Sequence, residues 1–241
     1  MLAAGIGKRL GADAAGRPKC LVELGGESLL RRHLQILQEY PIAQVYIVTG
    51  YRQDEIIKEL SGINSSLTVQ TIFNPDFNSG SIVSLGCATD VLCSGDDIIL
   101  MDADVLYDKA ILHRLITTNV PNCFLLDREF EPGDEPVKLC VRGDRLTDFR
   151  KFITPDVKFD FQGESVGFFR FTPEVAAHLA QRSREYIDQK RRDEPYEEAI
   201  RDLLIAEPDL FGYEDITGLP WIEIDFPEDI RRAENEILTH I

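Results

Sequence analysis

Short apolar runs alternate with amphipathic stretches through the first half of this 241-residue chain, and no other feature limits its architecture as much. The run "AQVYIVTG" (43–50) is β-branched, too short for a helix and closed by glycine, so it reads as a buried strand. Ahead of it, "SLLRRHLQILQEY" sets Leu29, Leu30, His33, Leu34 and Leu37 near helical spacing behind Ser28, a suitable N-cap. "LTVQTIF" (67–73) is the next strand and "SIVSLGCATDVL" (81–92) a helix. Ile98–Met101 reads as a strand, 110–118 as a helix and "NCFLLD" (122–127) as a strand. Strands separated by helices pair in parallel through right-handed crossovers. The expected fold is therefore α/β, an open and mostly parallel Rossmann-like sheet. Such sheets bind ligands beyond the carboxyl ends of their strands. "LAAGIGKR", "VTGYR" and "MDADV" all fall at such ends.

After about residue 130 the texture changes. "VKLCVRGDRLTDFRKFI" and "GESVGFFRF" read as strands of an inserted mixed or antiparallel region, with a turn at "RGDR". Helices are expected at 173–188 and 194–205. "LPWIEIDFPEDIRRAENEIL" gives a last strand, a helix start signal at Pro227 and a closing amphipathic helix. With no repeat and no flexible linker, the expectation is one domain over 1–241. Only Met1–Ala3 precede the glycine turn, whereas a central strand runs to about five or six residues. Either that strand is unusually short or the true start lies a few residues upstream.

The net charge of −16 argues against nucleic acid or an anionic membrane as partner, since both call for a basic field. A phosphate ligand would need a locally basic site, and a divalent cation would ease its binding. The five cysteines, Cys20, Cys87, Cys93, Cys123 and Cys140, are odd in number and show no C-x-x-C spacing. That usage argues against a disulfide framework and a structural zinc site, and points to the cytoplasm. The apolar runs are too short to span a bilayer, and no signal peptide is evident.

Gly5-Ile6-Gly7-Lys8-Arg9 alone fits an ordinary glycine turn as well as a phosphate cradle. A Walker A loop is ruled out because no G-K-[ST] follows at its spacing, and the third glycine of a dinucleotide fingerprint is missing. "LMDADVLYD" places Asp102, Asp104 and Asp108 just past a strand end. Such an oxygen cluster suits magnesium, which needs only one or two carboxylates besides phosphates and water. The same aspartates could instead form turns and cap a helix from 107.

Taken with "RPKCLVELGGESLL" (17–30), the opening changes meaning. "LAAG-x-G-x-R" followed by "P-K-x-L" and a "GG" turn resembles the signature of nucleotidyltransferases that activate phosphorylated small molecules. These include sugar-1-phosphate nucleotidylyltransferases and phosphocholine or aminophosphonate cytidylyltransferases. The resemblance implies that Leu2, Ala3, Ala4, Gly5, Gly7 and Lys8 wrap the base and triphosphate, while Arg9 and Lys19 neutralise phosphate charge during transfer. It implies Mg2+ held by Asp104, with Asp102 as rival, and by Asp225, whose other reading is N-cap of the helix from Pro227. The segment "NPDFNSGSIVSLG" (74–86) would lie against base and ribose, with Gly80, Ser81 and Ser84 at a helix N-terminus, although a plain capped helix fits that segment almost as well. Residues 1–127 would then be the nucleotide half, and 128–241 the half that binds acceptor and completes the metal site.

"VKLCV", "GESVGFF", "YEEAI" and "PWIEIDFPED" look most like enzymes that cytidylylate phosphocholine or 2-aminoethylphosphonate. A cationic head wants carboxylates and aromatic faces. Glu164, Tyr196, Glu197, Trp221 and Glu223 are the candidates, with Lys138 also on the acceptor side; Trp221 as core and the glutamates as solvated surface is the plain alternative. The expected partners are CTP or another nucleoside triphosphate and a phosphate or phosphonate acceptor, with a homo-oligomer left open. Two other readings stand beside this one: a sugar- or inositol-1-phosphate nucleotidylyltransferase, and a silent nucleotide-sensing domain on the same fold.

Overall fold

The structure, a computed structural model, describes residues 1–10 and 16–241. Strand β1 (Leu2–Ala3) is followed by the hairpin β2 (Glu23–Leu24) and β3 (Glu27–Ser28), then helix α1 (Leu29–Leu37). Next come β4 (Val45–Thr49), α2 (Gln53–Ser61), β5 (Val69–Phe73), α3 (Ser81–Cys87) and α4 (Thr89–Leu92). The middle of the chain gives β6 (Ile98–Met101), β7 (Val105–Tyr107), α5 (Lys109–Thr117), β8 (Asn122–Asp127), β9 (Lys138–Arg142) and β10 (Arg145–Arg150). The last part gives β11 (Phe161–Phe171), α6 (Pro173–Asp188), α7 (Tyr196–Ala206), β12 (Phe211–Asp215), β13 (Trp221–Glu223) and α8 (Pro227–Arg232).

These elements form two compact units. The first comprises Met1–Ser79, Asp102–Lys109 and Pro220–Ile241, and the second Gly80–Met101 and Ala110–Leu219. In the first, β1, β4 and β5 form a parallel sheet in the order β1-β4-β5. Helix α1 starts as expected: the Ser28 hydroxyl accepts from the Arg31 amide, worth about 1 kcal/mol for such a cap. Its buried face is Leu29, Leu30, His33, Leu34 and Leu37, the set that the spacing predicts. A cluster of Leu10, Val22, Leu24, Leu29, Leu106, Ile224 and Ala233 ties the opening loop, the 105–107 strand and the C-terminal segment together.

In the second unit β11 runs for 11 residues and pairs antiparallel with β6, β8 and β9, while β12 pairs parallel with β8. Phe124, Phe149 and Phe169 meet edge to face at centroid distances of 5.1 to 5.8 Å, and all are fully buried. The sequence places a mixed region after about 130, but it also takes in β6 and β8. The α/β class with a parallel and a mixed sheet holds.

Three local expectations are corrected. The helix expected over 81–92 breaks at Ala88, where the Thr89 hydroxyl donates to the Gly86 carbonyl and competes with the helical ladder. No helix starts at 107. Val105, Leu106 and Tyr107 are all buried and pair with Trp221–Glu223, so the helix waits until Lys109. The closing helix is α8 alone, and Ala233–Ile237 continues as a π-helical turn.

Candidate active site

The two halves of the glycine–lysine motif fit one another. Gly7 has φ +64, a left-handed conformation that suits glycine, and a Cβ there would stand 2.9 Å from Cγ of Lys19. The missing side chain therefore makes room for the lysine stem. Pro18, at φ −53, opens a 3-10 turn over Lys19–Leu21, closed by Leu21 N–H to the Pro18 carbonyl and Val22 N–H to the Lys19 carbonyl. Cys20, Leu21 and Val22 are buried and anchor that turn.

The first unit holds a pocket of about 420 Å³, walled by Leu2, Ala3, the Gly5–Arg9 turn, Lys19, Phe77–Ser79 and Ala103–Asp104. That volume lies in the range of small-molecule sites, about 300–1,000 Å³. Phe77, Asn78 and Ser79 fall inside the 74–86 segment expected against base and ribose, although the residues singled out there are Gly80, Ser81 and Ser84. The available signal is the "NPDFNSG" turn itself, where the Asn74 side chain accepts from the Asp76 amide. Among the described residues Ala4 lines no part of this wall; it is buried, and its carbonyl accepts from the Tyr51 amide.

Beside Lys19 the charges converge. The Lys19 ammonium donates to Asp104 Oδ2 at 2.8 Å and also to Asp225 Oδ1. Arg9 Nη2 donates to Asp225 Oδ2 at 2.7 Å, and its guanidinium lies 5.0 Å from the Phe226 ring centroid. Burial works against the charge on Lys19, but Asp104, Asp225 and Glu223 outweigh it and hold the amine above the ordinary lysine range.

Asp225 is not the helix cap. Phe226 occupies that position, and the Asp229 carboxylate accepts from the amides of Asp225 and Phe226 at 3.0 and 2.7 Å. The Asp225 carboxylate is left to Lys19 and Arg9.

Asp104, Glu223 and Asp225 each offer an oxygen within 4.8 Å of the others. These are hard oxygen donors from two chain segments, a set that fits magnesium chemically. Asp102 does not belong to this group among the described residues; Leu2 forms a parallel bridge with it. Glu223, expected as an acceptor ligand, stands with the two aspartates. Desolvation pushes its carboxyl well above the ordinary glutamate range, and Asp104 and Asp225 push it further. Because the residue as a whole is exposed, the neighbouring charges are the firmer of these causes. The signal was present in "WIEID": alternation sets Trp221, Glu223 and Asp225 on one face, with Ile222 and Ile224 turned to the core. Trp221 is half-buried, opposite Tyr107.

The second unit holds the remaining candidates. At the N-terminus of α3, the Gly80 amide donates to the Arg192 carbonyl and the Ile82 amide to the Glu194 carbonyl, while the Ser81 hydroxyl accepts from the Tyr196 amide. A Cβ on Gly80 would stand 2.3 Å from the Glu194 carbonyl oxygen, so this glycine serves a close backbone approach. Ser84 is buried on α3. Tyr196 is only 3% exposed and meets Phe169 edge on at 6.2 Å, so its ring belongs to the core and offers no open face. Glu197 is half-buried in the first turn of α7. The Lys138 ammonium donates to the carbonyls of Gly133, Pro136 and Lys151, clamping two loop segments.

Glu164 stands opposite Asp127 on β8 and Lys138 on β9. Desolvation, then Asp127, raises its carboxyl from 4.5 to about 7, against the pull of Lys138 and Lys151. The folded protein therefore holds a proton that the unfolded chain has already released, and the stability this gives is lost as pH rises through about 7. Glu164→Gln removes that loss. Urea midpoints should show the variant gaining on the wild type between pH 5 and pH 8; parallel midpoint curves would contradict the assignment.

The MobA-like NTP transferase domain model matches residues 1–151. The chain is 25% identical over 238 residues to the CMP-5'-(3-aminopropyl)phosphonate synthase of Streptomyces rubellomurinus, covering 97% of this chain and 38% of that protein. The chain thus spans well under half the length of this relative. Among solved structures, the CTP:phosphocholine cytidylyltransferase from Streptococcus pneumoniae aligns with TM-score 0.72 at 21% identity, over 98% of this chain and 96% of that one. The inositol-1-phosphate CTP transferase from T. maritima aligns with TM-score 0.72 at 17% identity, over 98% and 95%. With its glycine turn, lysine turn and strand-end carboxylates in one unit, the chain belongs to the family of the MobA-like NTP transferase domain.

Proposed function

We propose that the chain is a magnesium-dependent cytidylyltransferase that joins CMP to a small phosphonate or phosphate bearing an ammonium head and releases pyrophosphate. The observation that carries this reading is the set of Asp104, Glu223 and Asp225 facing Lys19 and Arg9 beside a pocket of about 420 Å³. An acceptor oxygen attacks the α-phosphorus of the nucleotide, the bond to the β-phosphate breaks, and the electron pair leaves on pyrophosphate. No protein nucleophile is needed, so the work is alignment and charge. Arg9 binds phosphate oxygens with its planar fork, and Lys19 supplies a mobile point charge. Asp104, Asp225 and Glu223 would hold the magnesium ion, which when bound neutralises phosphate charge at the reacting phosphorus. The Gly5–Arg9 turn and Phe77–Ser79 shape the wall that receives the nucleotide.

The ammonium head is supported by the names of two similar proteins, one acting on an aminopropylphosphonate and one on phosphocholine. The inositol-1-phosphate CTP transferase likeness favours a polyol phosphate as the second reading. No helix among the described residues is long and apolar enough to cross a membrane. The cysteine usage supports a cytoplasmic setting.

The test is kcat/KM by pyrophosphate release for 2-aminoethylphosphonate, 3-aminopropylphosphonate, phosphocholine, inositol-1-phosphate and glucose-1-phosphate, each with CTP and UTP. An ammonium acceptor with CTP should lead. A neutral polyol phosphate ahead by tenfold, about 1.4 kcal/mol in transition-state binding, would overturn the head-group assignment.

A further inference from the structure

Lys19 is paired with carboxylates that would also hold a metal ion. Its ammonium touches both Asp104 and Asp225, two of the three carboxylates whose oxygens lie within 4.8 Å of one another. We infer that Lys19 is the built-in counter-ion of this carboxylate set, displaced when a divalent cation binds and thereby released to serve the pocket. The inference rests on the magnesium reading above and adds an exchange to it.

Three observations support the exchange. The Lys19 side chain is only 17% exposed, and Asp104 and Asp225 are 19% and 11% exposed, so bulk water cannot fully screen these carboxylates from one another. Asp104, Asp225 and Glu223 would repel strongly if the lysine left with nothing in its place. A divalent ion and an ammonium also compete for the same oxygens, because both need them within contact distance and repel each other there. Finally, Lys19 lines the pocket as well as the carboxylate set, and its stem runs past the bare Gly7. Rotation about its four-carbon stem can carry the ammonium from carboxylate to phosphate without moving the anchored 19–21 turn.

The consequence is that metal affinity in the absence of nucleotide is limited by a tethered competitor. Manganese binding to the nucleotide-free protein, read by electron paramagnetic resonance, tests this on wild type, Lys19→Met and Asp104→Asn. Lys19→Met should bind Mn2+ at least tenfold more tightly than wild type, and Asp104→Asn should bind it far more weakly. Equal or weaker binding by Lys19→Met, with binding lost in Asp104→Asn, overturns the exchange and leaves the metal site standing. Undiminished binding by Asp104→Asn overturns the metal site itself. A second measurement needs no variant: crystals of the wild type with and without Mn2+. The ammonium should lie on both aspartates without metal and away from them beside an anomalous peak; a peak with both contacts retained overturns the exchange.

Discussion

Asp225→Asn should lower kcat by about 10³, some 4 kcal/mol in the transition state, while the protein keeps its fold. The carboxylate accepts from Lys19 and Arg9 at once and belongs to the oxygen set of Asp104 and Glu223. An amide of the same shape keeps the packing but removes the negative charge, leaving both cations short of a partner. The fold is spared because the start of α8 depends on the Asp229 carboxylate and not on that of Asp225. Pyrophosphate release measures the first effect, and thermal unfolding checks the second. Turnover within threefold of wild type would remove Asp225 from the chemistry.

Lys19→Met should lower kcat/KM for the nucleotide by about 10² to 10³ at every pH from about 6 to 9. The lysine is held above its ordinary range by Asp104, Asp225 and Glu223, so it stays charged throughout and cannot act as a base there. The loss should be a uniform drop in which both limbs of the pH–rate profile survive. A variant that loses one limb would mean that Lys19 transfers a proton. Tighter metal binding by the same variant would separate charge supply from metal affinity in one residue.

Much of this site is legible in sequence because its parts lie on short local signals. Gly7 and Lys19 belong to a two-part motif whose halves the structure brings so close that a Cβ on Gly7 would meet the lysine stem, and Asp104 and Asp225 each follow an apolar run. Glu223 reads from sequence as an acceptor ligand although the alternation of "WIEID" places it on the face of Asp225: a glutamate on a short strand looks the same whether it faces water or two aspartates. Strand direction was harder. β6 and β8 are apolar runs that fit a parallel sheet, yet both pair antiparallel with β11, because a strand buried on two faces carries no mark of its partner's direction. β12 went unread for a related reason. Its five residues, "FGYED", are mostly polar or aromatic and gain their place from pairing with buried β8. Tyr196 shows the opposite failure, an aromatic residue beside glutamates that reads as a cation's cradle and lies in the core.

Transfer itself is followed by ³¹P nuclear magnetic resonance of the protein with CTP, Mg2+ and 3-aminopropylphosphonate. The phosphonate and triphosphate resonances should fall together, while a phosphonate–phosphate linkage and pyrophosphate appear in equal amounts. CTP that binds but stays intact with every acceptor of the panel would contradict it, and would make the chain a nucleotide-binding domain without transfer chemistry.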